Sequence, residues 1–382
     1  MKISDDVAKY SGRLSELRRK LHKMPELSRE EFATADFIEG YLKKLRPDKL
    51  TRCFNTGLKA VFFAKNAEKT IGLRADIDAL PVTEDGEKCS FASKNEGKMH
   101  ACGHDGHTAI MMAMAALVAE KRDELKYNIV FIFQPAEETD GGAQPMIEEG
   151  VLEDPHVDEI FGLHIWPYIE AGKIGLKAGP LMSHMRDLNV DFYGREAHGA
   201  RPHNGVDAMM AAAAFINQVQ TIISRNVDPV KTAVITLGVI NGGEARNIVC
   251  DHVHIEGTVR TFEKEVSERV KTRILEIIKG IETGLGVRAE YYETMTFPAV
   301  MNDEALVERA RELLFDDERL EIREFMMSED FSFYQEQIPG LFVFLGTGEE
   351  GHNAPLHSAQ FSFDEKYLSY GMEFFARVIG LA

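Results

Sequence analysis

The densest group of metal-seeking side chains is Met99-His100-Ala101-Cys102-Gly103-His104-Asp105-Gly106-His107. A cysteine and a histidine two residues apart, with glycine between them, can turn a thiolate and a neutral imidazole toward one ion. Those donors suit zinc and other borderline transition metals. The same stretch also reads as a polar loop capping a helix that starts near Thr108. A second signal, Gln134-Pro135-Ala136-Glu137-Glu138, follows the apolar run 128–133. Carboxylates at the C-terminal end of a parallel strand sit where α/β sheets build their sites. Neighbours on a chain point in different directions, so one can bind a metal while the other faces a substrate as a base. Alone, the pair reads as two solvated glutamates. His164, in Phe161-Gly162-Leu163-His164-Ile165-Trp166-Pro167, reads alone as a packed core histidine, and His357, in Pro355-Leu356-His357-Ser358, as a loop histidine. The combination is stronger than its parts. Cys102, His104, Glu138, His164 and His357 all fall at strand ends or adjoining loops. Five donors exceed one closed four-coordinate ion and fit two ions sharing a bridge.

Two further polar groups accompany them. In Gly72-Leu73-Arg74-Ala75-Asp76-Ile77-Asp78, charged residues close a strand. They either brace a ligand histidine, with Asp76 the candidate, or form structural ion pairs. Farther on, Ala197-His198-Gly199-Ala200-Arg201-Pro202-His203-Asn204-Gly205 is a loop defined by Gly and Pro, and Asn247 and Arg260 lie at the two ends of a strand region. An arginine there can hold a carboxylate bidentately; a surface loop, a turn asparagine and an exposed arginine are the plain alternatives.

The elements that must position these residues fall into two patterns. Residues 4–22 predict an amphipathic helix with Val7, Leu14, Leu17 and Leu21 on one face. A second helix spans 30–45 and Pro47 stops it. Strand-like runs at 58–63, 70–74 and 128–133 alternate with helical stretches such as 108–121, which predicts an α/β layer with a mostly parallel sheet. After Gly179-Pro180 the pattern changes to strand 188–193, helix 206–224, strands 233–240 and 249–259 joined at Asn241-Gly242-Gly243, helix 264–283 and strand 287–295. That β-α-β-β-α-β order predicts a split βαβ (ferredoxin-like) unit inserted into the first domain. The expected organisation is residues 1–183, an insertion at 184–295, and a return to the first domain at 296–382.

With 382 residues, at about 150 per domain, the chain exceeds one ordinary core. The net charge of -18 argues against nucleic acid or an anionic membrane as partner. No stretch approaches the ~20 apolar residues that span a bilayer. Residues 1–10 carry Asp5, Asp6 and Lys9 and do not read as an export signal. Four scattered cysteines, Cys53, Cys89, Cys102 and Cys250, then favour a reducing cytoplasm.

With these motifs assembled, nearly the whole chain resembles one branch of the dinuclear-metal amidohydrolases. It contains aminoacylases, hippurate hydrolases, auxin-conjugate hydrolases and N-acetyldiaminopimelate deacetylases. The stretches GLRADIDALP, MHACGHDGHTA, FIFQPAEE, FGLHIWP, HGARPH, GGEARNIV, GTVRTF, MSEDFSFY and PLHS carry the resemblance, in family order. More distant members have a histidine where this chain has Arg74. The resemblance implies two divalent ions per subunit (zinc, manganese or cobalt) on Cys102, His104, Glu138, His164 and His357. It implies Glu137 as general base and His198 as a substrate or oxyanion contact reaching a neighbouring subunit's metals. Asn247 and Arg260 match positions that hold the amino-acid part of the substrate. The implied activity is hydrolysis of N-acetyl- or aroyl-amino acids by a homodimer or dimer-based tetramer, the inserted domain serving dimerisation or as a lid. The run 141–146 is especially like the N-acetyldiaminopimelate deacetylases. A dipeptidase or carboxypeptidase on the same scaffold is the alternative. A binding protein without activity would lack Glu137 or a ligand, and none is lost.

Overall fold

The computed structural model describes residues 1–86, 89–352 and 354–382. The chain forms two compact units. One comprises residues 1–181, 301–323 and 330–382, and the other residues 182–300 and 324–329.

The first unit is built on an eight-stranded sheet. Its spatial order is Lys49–Cys53, Gly57–Phe62, Asn128–Gln134, Thr70–Asp76, Glu159–Glu170, Gly340–Gly348, Ile174–Leu176 and Arg319–Glu321. From Asn128–Gln134 to Gly340–Gly348, four adjacent strands run parallel. Antiparallel pairs flank them on both sides. Thr70–Asp76 is buried at every position, as expected of a strand covered on both faces, and so reads as a continuous run rather than an alternation. Helix His104–Glu120 is buried from His104 to Val118, apolar nearly all round, and packs against helices Ser11–His22, Phe32–Leu45 and Leu368–Val378.

Two boundaries differ from the sequence reading. The first helical stretch is two helices, Asp5–Ala8 and Ser11–His22, interrupted at Lys9-Tyr10. More consequentially, the helix expected from Thr108 begins at His104. Gly103, with φ +91°, caps it, and its carbonyl accepts the N–H groups of Gly106 and His107. The last four residues of the nonapeptide, 104–107, are therefore the first turn of a buried helix, and residues 99–103 lead into it.

A buried charge network ties the strand ends together. Arg74 donates to Gln134 Oε1 at 2.8 Å, Asp76 Oδ2 at 2.9 Å and Asp330 Oδ1 at 2.7 Å. Asp330 Oδ2 in turn accepts the backbone N–H groups of Gly142 and Ala143 at 2.9 and 3.0 Å. This fixes the loop after strand Asn128–Gln134. Only glycine fits at 142, because a Cβ there would lie 1.9 Å from Pro135 O.

The second unit has an antiparallel sheet ordered Arg288–Tyr292, His184–Tyr193, His252–Thr261, Ala233–Gly242, with Thr296–Phe297 also pairing His184–Tyr193. Helices Ala208–Val219 and Lys264–Leu285 bury Phe215, Ile274 and Ile278 with Val190, Phe192, Val253 and Ile255 of the strands. The expected tight turn at Asn241-Gly242-Gly243 is absent. Ala233–Gly242 pairs Gly242 with Val253, and the intervening residues fold back along 197–199. There Val249 N donates to Ala197 O at 2.8 Å and Gly199 N to Asn247 O at 2.7 Å. These longer-range backbone bonds override the local turn signal. Residues 324–329, which the sequence reading left in the first domain, belong to this unit, and Ser183 N donates to Met327 O at 2.8 Å. Among the described residues no helix is long and apolar enough to cross a membrane.

Removing Asp330 takes a carboxylate partner from the buried Arg74 and the side-chain acceptor from two buried backbone N–H groups. Asp330→Ala is expected to lower stability by about 3–5 kcal/mol, the range for breaking a buried ion pair. Urea denaturation measures it, and a midpoint equal to the parent's would show that the network does not hold the loop.

Candidate metal centre

All five donor candidates lie in the first unit and converge. Cys102 and His104 sit at the start of helix His104–Glu120, and Glu138 follows strand Asn128–Gln134. His164 lies within strand Glu159–Glu170. His357 is on a loop whose backbone N–H donates to Ala101 O at 2.9 Å. Cys102 Sγ is 3.4 Å from His164 Nε2, His104 Nε2 is 3.6 Å from Glu138 Oε1, and His357 Nε2 is 3.4 Å from Glu138 Oε2. The donors form overlapping triads: Cys102, His104 and His164 in one, Cys102, Glu138 and His357 in another, each with its ligand atoms within 4.8 Å of one another. Glu137 Oε2 lies 4.0 Å from His104 Nε2, beside the cluster.

Hydrogen bonding decides which atoms are free to coordinate. His104 Nδ1 is held by Asp78, whose Oδ1 and backbone O lie at 3.2 and 3.1 Å. His164 Nδ1 is held by Ile165 O at 2.7 Å. With both Nδ1 atoms acting as donors, the Nε2 atoms are the ones aimed into the cluster, and each offers a lone pair to a cation that takes the place of its proton. This is the arrangement found behind metal-bound imidazoles. His104 Nε2 and Glu138 Oε1 are buried with no hydrogen-bond partner among the described residues. Buried polar atoms are ordinarily paired, so these two mark where a ligand ion fits.

The electrostatics agree. Burial opposes a charge on His104, yet the carboxylates of Asp76, Asp78 and Glu138 outweigh it and raise its pKa to about 10. Burial, reinforced by Asp78 and Asp76, pushes the Glu138 carboxyl up to about 7 against the pull of His104. Burial, with Glu138, Glu137 and Asp76, pushes the Cys102 thiol well up. A nucleophilic cysteine needs the opposite shift, so Cys102 does not suit covalent catalysis. The pocket is rich in donors and short of positive charge, as a site for divalent cations must be.

Glycine lets the elements approach. A Cβ at Gly106 would lie 2.5 Å from Ile165 Cδ1 and 2.9 Å from Phe363 Cζ, so these side chains would have to shift for the helix carrying His104 to rest as closely against the strand carrying His164.

Of the remaining predicted residues, Asp76 lies beside the donors and the other three fall in the second unit. Asp76 holds His107, whose Nδ1 donates to its Oδ1 at 2.6 Å, and reaches His104 Nε2 only at 3.8 Å; the brace of His104 is Asp78. His198, Asn247 and Arg260 lie in the second unit. His198 pairs in a β-bridge with Ile248, next to Asn247. Arg260 is near the far end of strand His252–Thr261, eight residues beyond His252, or about 26 Å at ~3.3 Å per residue. The strand thus sets Arg260 far from His252, and the paired segments 197–199 and 247–249 adjoin the His252 end.

Glu31 escaped the sequence reading. Its carboxylate is fully buried and accepts the Ala136 N–H at 2.9 Å and the Thr56 hydroxyl at 2.9 Å. Ala136 has φ +59°, an unfavourable conformation for alanine, immediately before Glu137 and Glu138. Asp78 Oδ2 accepts the Glu138 N–H at 3.0 Å and the Ser28 hydroxyl at 2.7 Å. With Asp330 on Gly142 and Ala143, three buried carboxylates thus hold the backbone of the loop that presents the glutamate pair.

A partly parallel α/β sheet with histidine, cysteine and carboxylate donors gathered at its strand ends defines a metallohydrolase type of architecture. The chain belongs to peptidase family M20/M25/M40, whose family model matches residues 72–380. It is 42% identical over 356 residues to the N-acetyl-L-cysteine deacetylase of Bacillus subtilis, covering 91% of this chain and 83% of that protein. It is 40% identical over 354 residues to the N-acetyldiaminopimelate deacetylase of Priestia megaterium, covering 91% and 94%. Among solved structures, a putative aminohydrolase from methicillin resistant Staphylococcus aureus superposes with a TM-score of 0.93 at 34% identity, covering 99% of this chain and 98% of that one. The Bacillus subtilis YXEP protein, a dinuclear metal binding peptidase from the M20 family, gives 0.83 at 34% identity, covering 98% and 100%.

Replacing Glu31 by alanine strands the Ala136 N–H and the Thr56 hydroxyl in the interior. Each unsatisfied buried group costs about 1–3 kcal/mol, so Glu31→Ala is expected to lower stability by at least that much in a denaturant titration. Glu31→Gln, whose amide oxygen still accepts from Ala136, should fall between. Equal stability of all three proteins would show that the strained turn holds itself.

Proposed function

We propose that this chain is a metal-dependent amidohydrolase that removes a small acyl group, acetyl foremost, from the nitrogen of an amino acid. The observation carrying this reading is the convergence of five donor side chains, with two buried atoms among them that have no hydrogen-bond partner among the described residues, beside a further carboxylate, Glu137. Cys102, His104, Glu138, His164 and His357 would hold two divalent ions, with zinc, manganese and cobalt suited to the mixed thiolate, imidazole and carboxylate set. Bound there, the ions would acidify water and polarise the amide carbonyl.

The chain's own groups do the rest. Glu137 takes the proton of the attacking water as its oxygen bonds to the carbonyl carbon. It then passes that proton to the departing nitrogen, and the C–N bond breaks to give a carboxylic acid and a free amino acid. Arg260 reads the amino acid's carboxylate. Its NH1 donates to Ser328 Oγ at 2.9 Å, and it has no acidic partner among the described residues. Burial lowers its pKa, as for a guanidinium awaiting an anion. The acetyl preference follows the deacetylases of Bacillus subtilis and Priestia megaterium to which the chain is similar. Four free cysteines fit a reducing cytoplasm.

The second unit serves dimerisation. Strand Ala233–Gly242 forms the sheet edge, paired on one side only, and exposes Val234, Val239 and Ile240. The separation of Asn247 from Arg260 along one chain points the same way. An acyl-amino acid is far shorter than about 26 Å, so His198 and Asn247 serve the site of the other subunit, where His198 supports the oxyanion.

Glu137→Gln is expected to reduce turnover of N-acetyl-amino acids about 10²–10⁴-fold, with metal content retained. Coincident loss of metal would make Glu137 a ligand instead. A panel that adds dipeptides and aroyl-amino acids fixes the substrate class; faster hydrolysis of dipeptides would replace the deacylase reading with an exopeptidase one. For the subunit assignment, Glu137→Gln and His198→Ala proteins are mixed and allowed to exchange. If His198 works across the dimer, half the sites in mixed dimers are intact, and about 25% of wild-type activity returns for a two-fold dimer. No recovery, with exchange verified, would place His198 within its own subunit's site.

A further inference from the structure

The second unit carries a donor set that hydrolysis does not use. His252, His254 and Glu256 are alternate residues of strand His252–Thr261 and leave the same face of the sheet. Val253 and Ile255, between them, point into the core against the helices. Asp191, on strand His184–Tyr193, lies directly opposite His254 in the register. Two imidazole nitrogens aim at one of its oxygens: His252 Nε2 is 2.7 Å and His254 Nδ1 3.0 Å from Asp191 Oδ1. The Asp191 side chain is only 10% exposed, and among the described residues no lysine or arginine pairs with it. Tyr193 stacks on the His252 ring at 4.9 Å between centroids and fixes its plane.

The hydrogen-bond arithmetic at His254 is the telling feature. Its Nε2 lies 3.3 Å from Glu256 Oε1. A neutral imidazole has one N–H and cannot donate to both carboxylates, so one contact must set a lone pair against an oxygen; take the N–H turned to the exposed Glu256. The Nδ1 lone pair then faces a carboxylate oxygen at 3.0 Å, an acceptor against an acceptor, and a cation between them resolves the repulsion. A carboxylate behind a histidine, setting its tautomer, is the usual support of a metal-bound imidazole.

We propose that His252, His254 and Asp191 form a binding site for a borderline divalent cation, zinc foremost. Two imidazoles and one carboxylate are a zinc-type donor set. Bonds of about 2.0–2.1 Å put tetrahedral donors about 3.3 Å apart, so the observed separations need only small side-chain adjustments. The fourth position opens to solvent beside His252, which is nearly half exposed. The site does not depend on the hydrolytic reading, because all its residues lie in the second unit.

The test counts ions in the untagged full-length protein. Protein stripped with chelator is reloaded with zinc, passed through gel filtration and assayed for zinc per chain. Wild type is expected to retain one more zinc per chain than His252→Ala/His254→Ala, and Asp191→Asn should lose the same equivalent. Hydrolytic activity should be unchanged in these variants, and zinc should raise the unfolding temperature more in wild type than in the double variant. The readout is a difference between proteins, so it stands whatever number of ions the first unit holds. Equal zinc counts in folded wild type and double variant would overturn the site. If the alanine variant folds poorly, His254→Gln keeps the volume and removes the Nδ1 donor; zinc retained in full by that protein would equally overturn the proposal.

Discussion

Asp78 is the carboxylate on which the centre turns. One oxygen fixes the imidazole of His104, and the other holds the backbone of Glu138 while accepting the hydroxyl of Ser28. Three chain segments, distant in sequence, thus meet at one fully buried anion. A buried carboxylate is expensive unless each lone pair has a donor. The fold meets that demand with the very groups whose orientation the site needs, so the support of the anion and the aim of the donors are one set of contacts.

The same economy recurs around it. Asp330 satisfies Arg74 and Gln134 and in doing so pins Gly142 and Ala143. Glu31 satisfies Thr56 and pins Ala136 in a left-handed conformation. The loop bearing Glu137 and Glu138 has no regular secondary structure at the pair itself, yet its backbone is held from several sides. Such a loop can present two adjacent carboxylates to different tasks without either drifting, which is what preorganised catalysis requires.

Much of this was legible in the sequence. Cys102, His104, Glu138, His164 and His357 stand out because metal donors at strand ends are unusual, and the structure gathers them in one place. The strands themselves were visible as short apolar runs, since burial on both faces leaves a continuous signal. What could not be read was long-range. Glu31 is 105 residues from the Ala136 N–H that it holds, and nothing local distinguishes it from its exposed neighbour Glu30. Asp76 and Asp78 look alike on paper, and only the three-dimensional register gives His107 to one and His104 to the other. The Asn-Gly-Gly signal at 241–243 suggested a tight hairpin, but backbone pairing of Val249 and Asn247 with residues 197 and 199 prevailed. Local turn chemistry yields when a longer loop finds partners for its backbone.

The chain passes between the two units four times, at residues 181/182, 300/301, 323/324 and 329/330. The second unit is therefore not a cassette with one entrance and one exit. Excising residues 182–300 would leave behind the short strip 324–329, whose Met327 carbonyl pairs with Ser183 and whose Ser328 hydroxyl pairs with Arg260. Any graft between relatives that exchanges the inserted segment alone would install an arginine without its accustomed neighbour. Recombination in this architecture has to be two-piece, and the six-residue strip, easily overlooked beside a segment twenty times longer, would decide whether a chimaera keeps the second unit's own contacts intact.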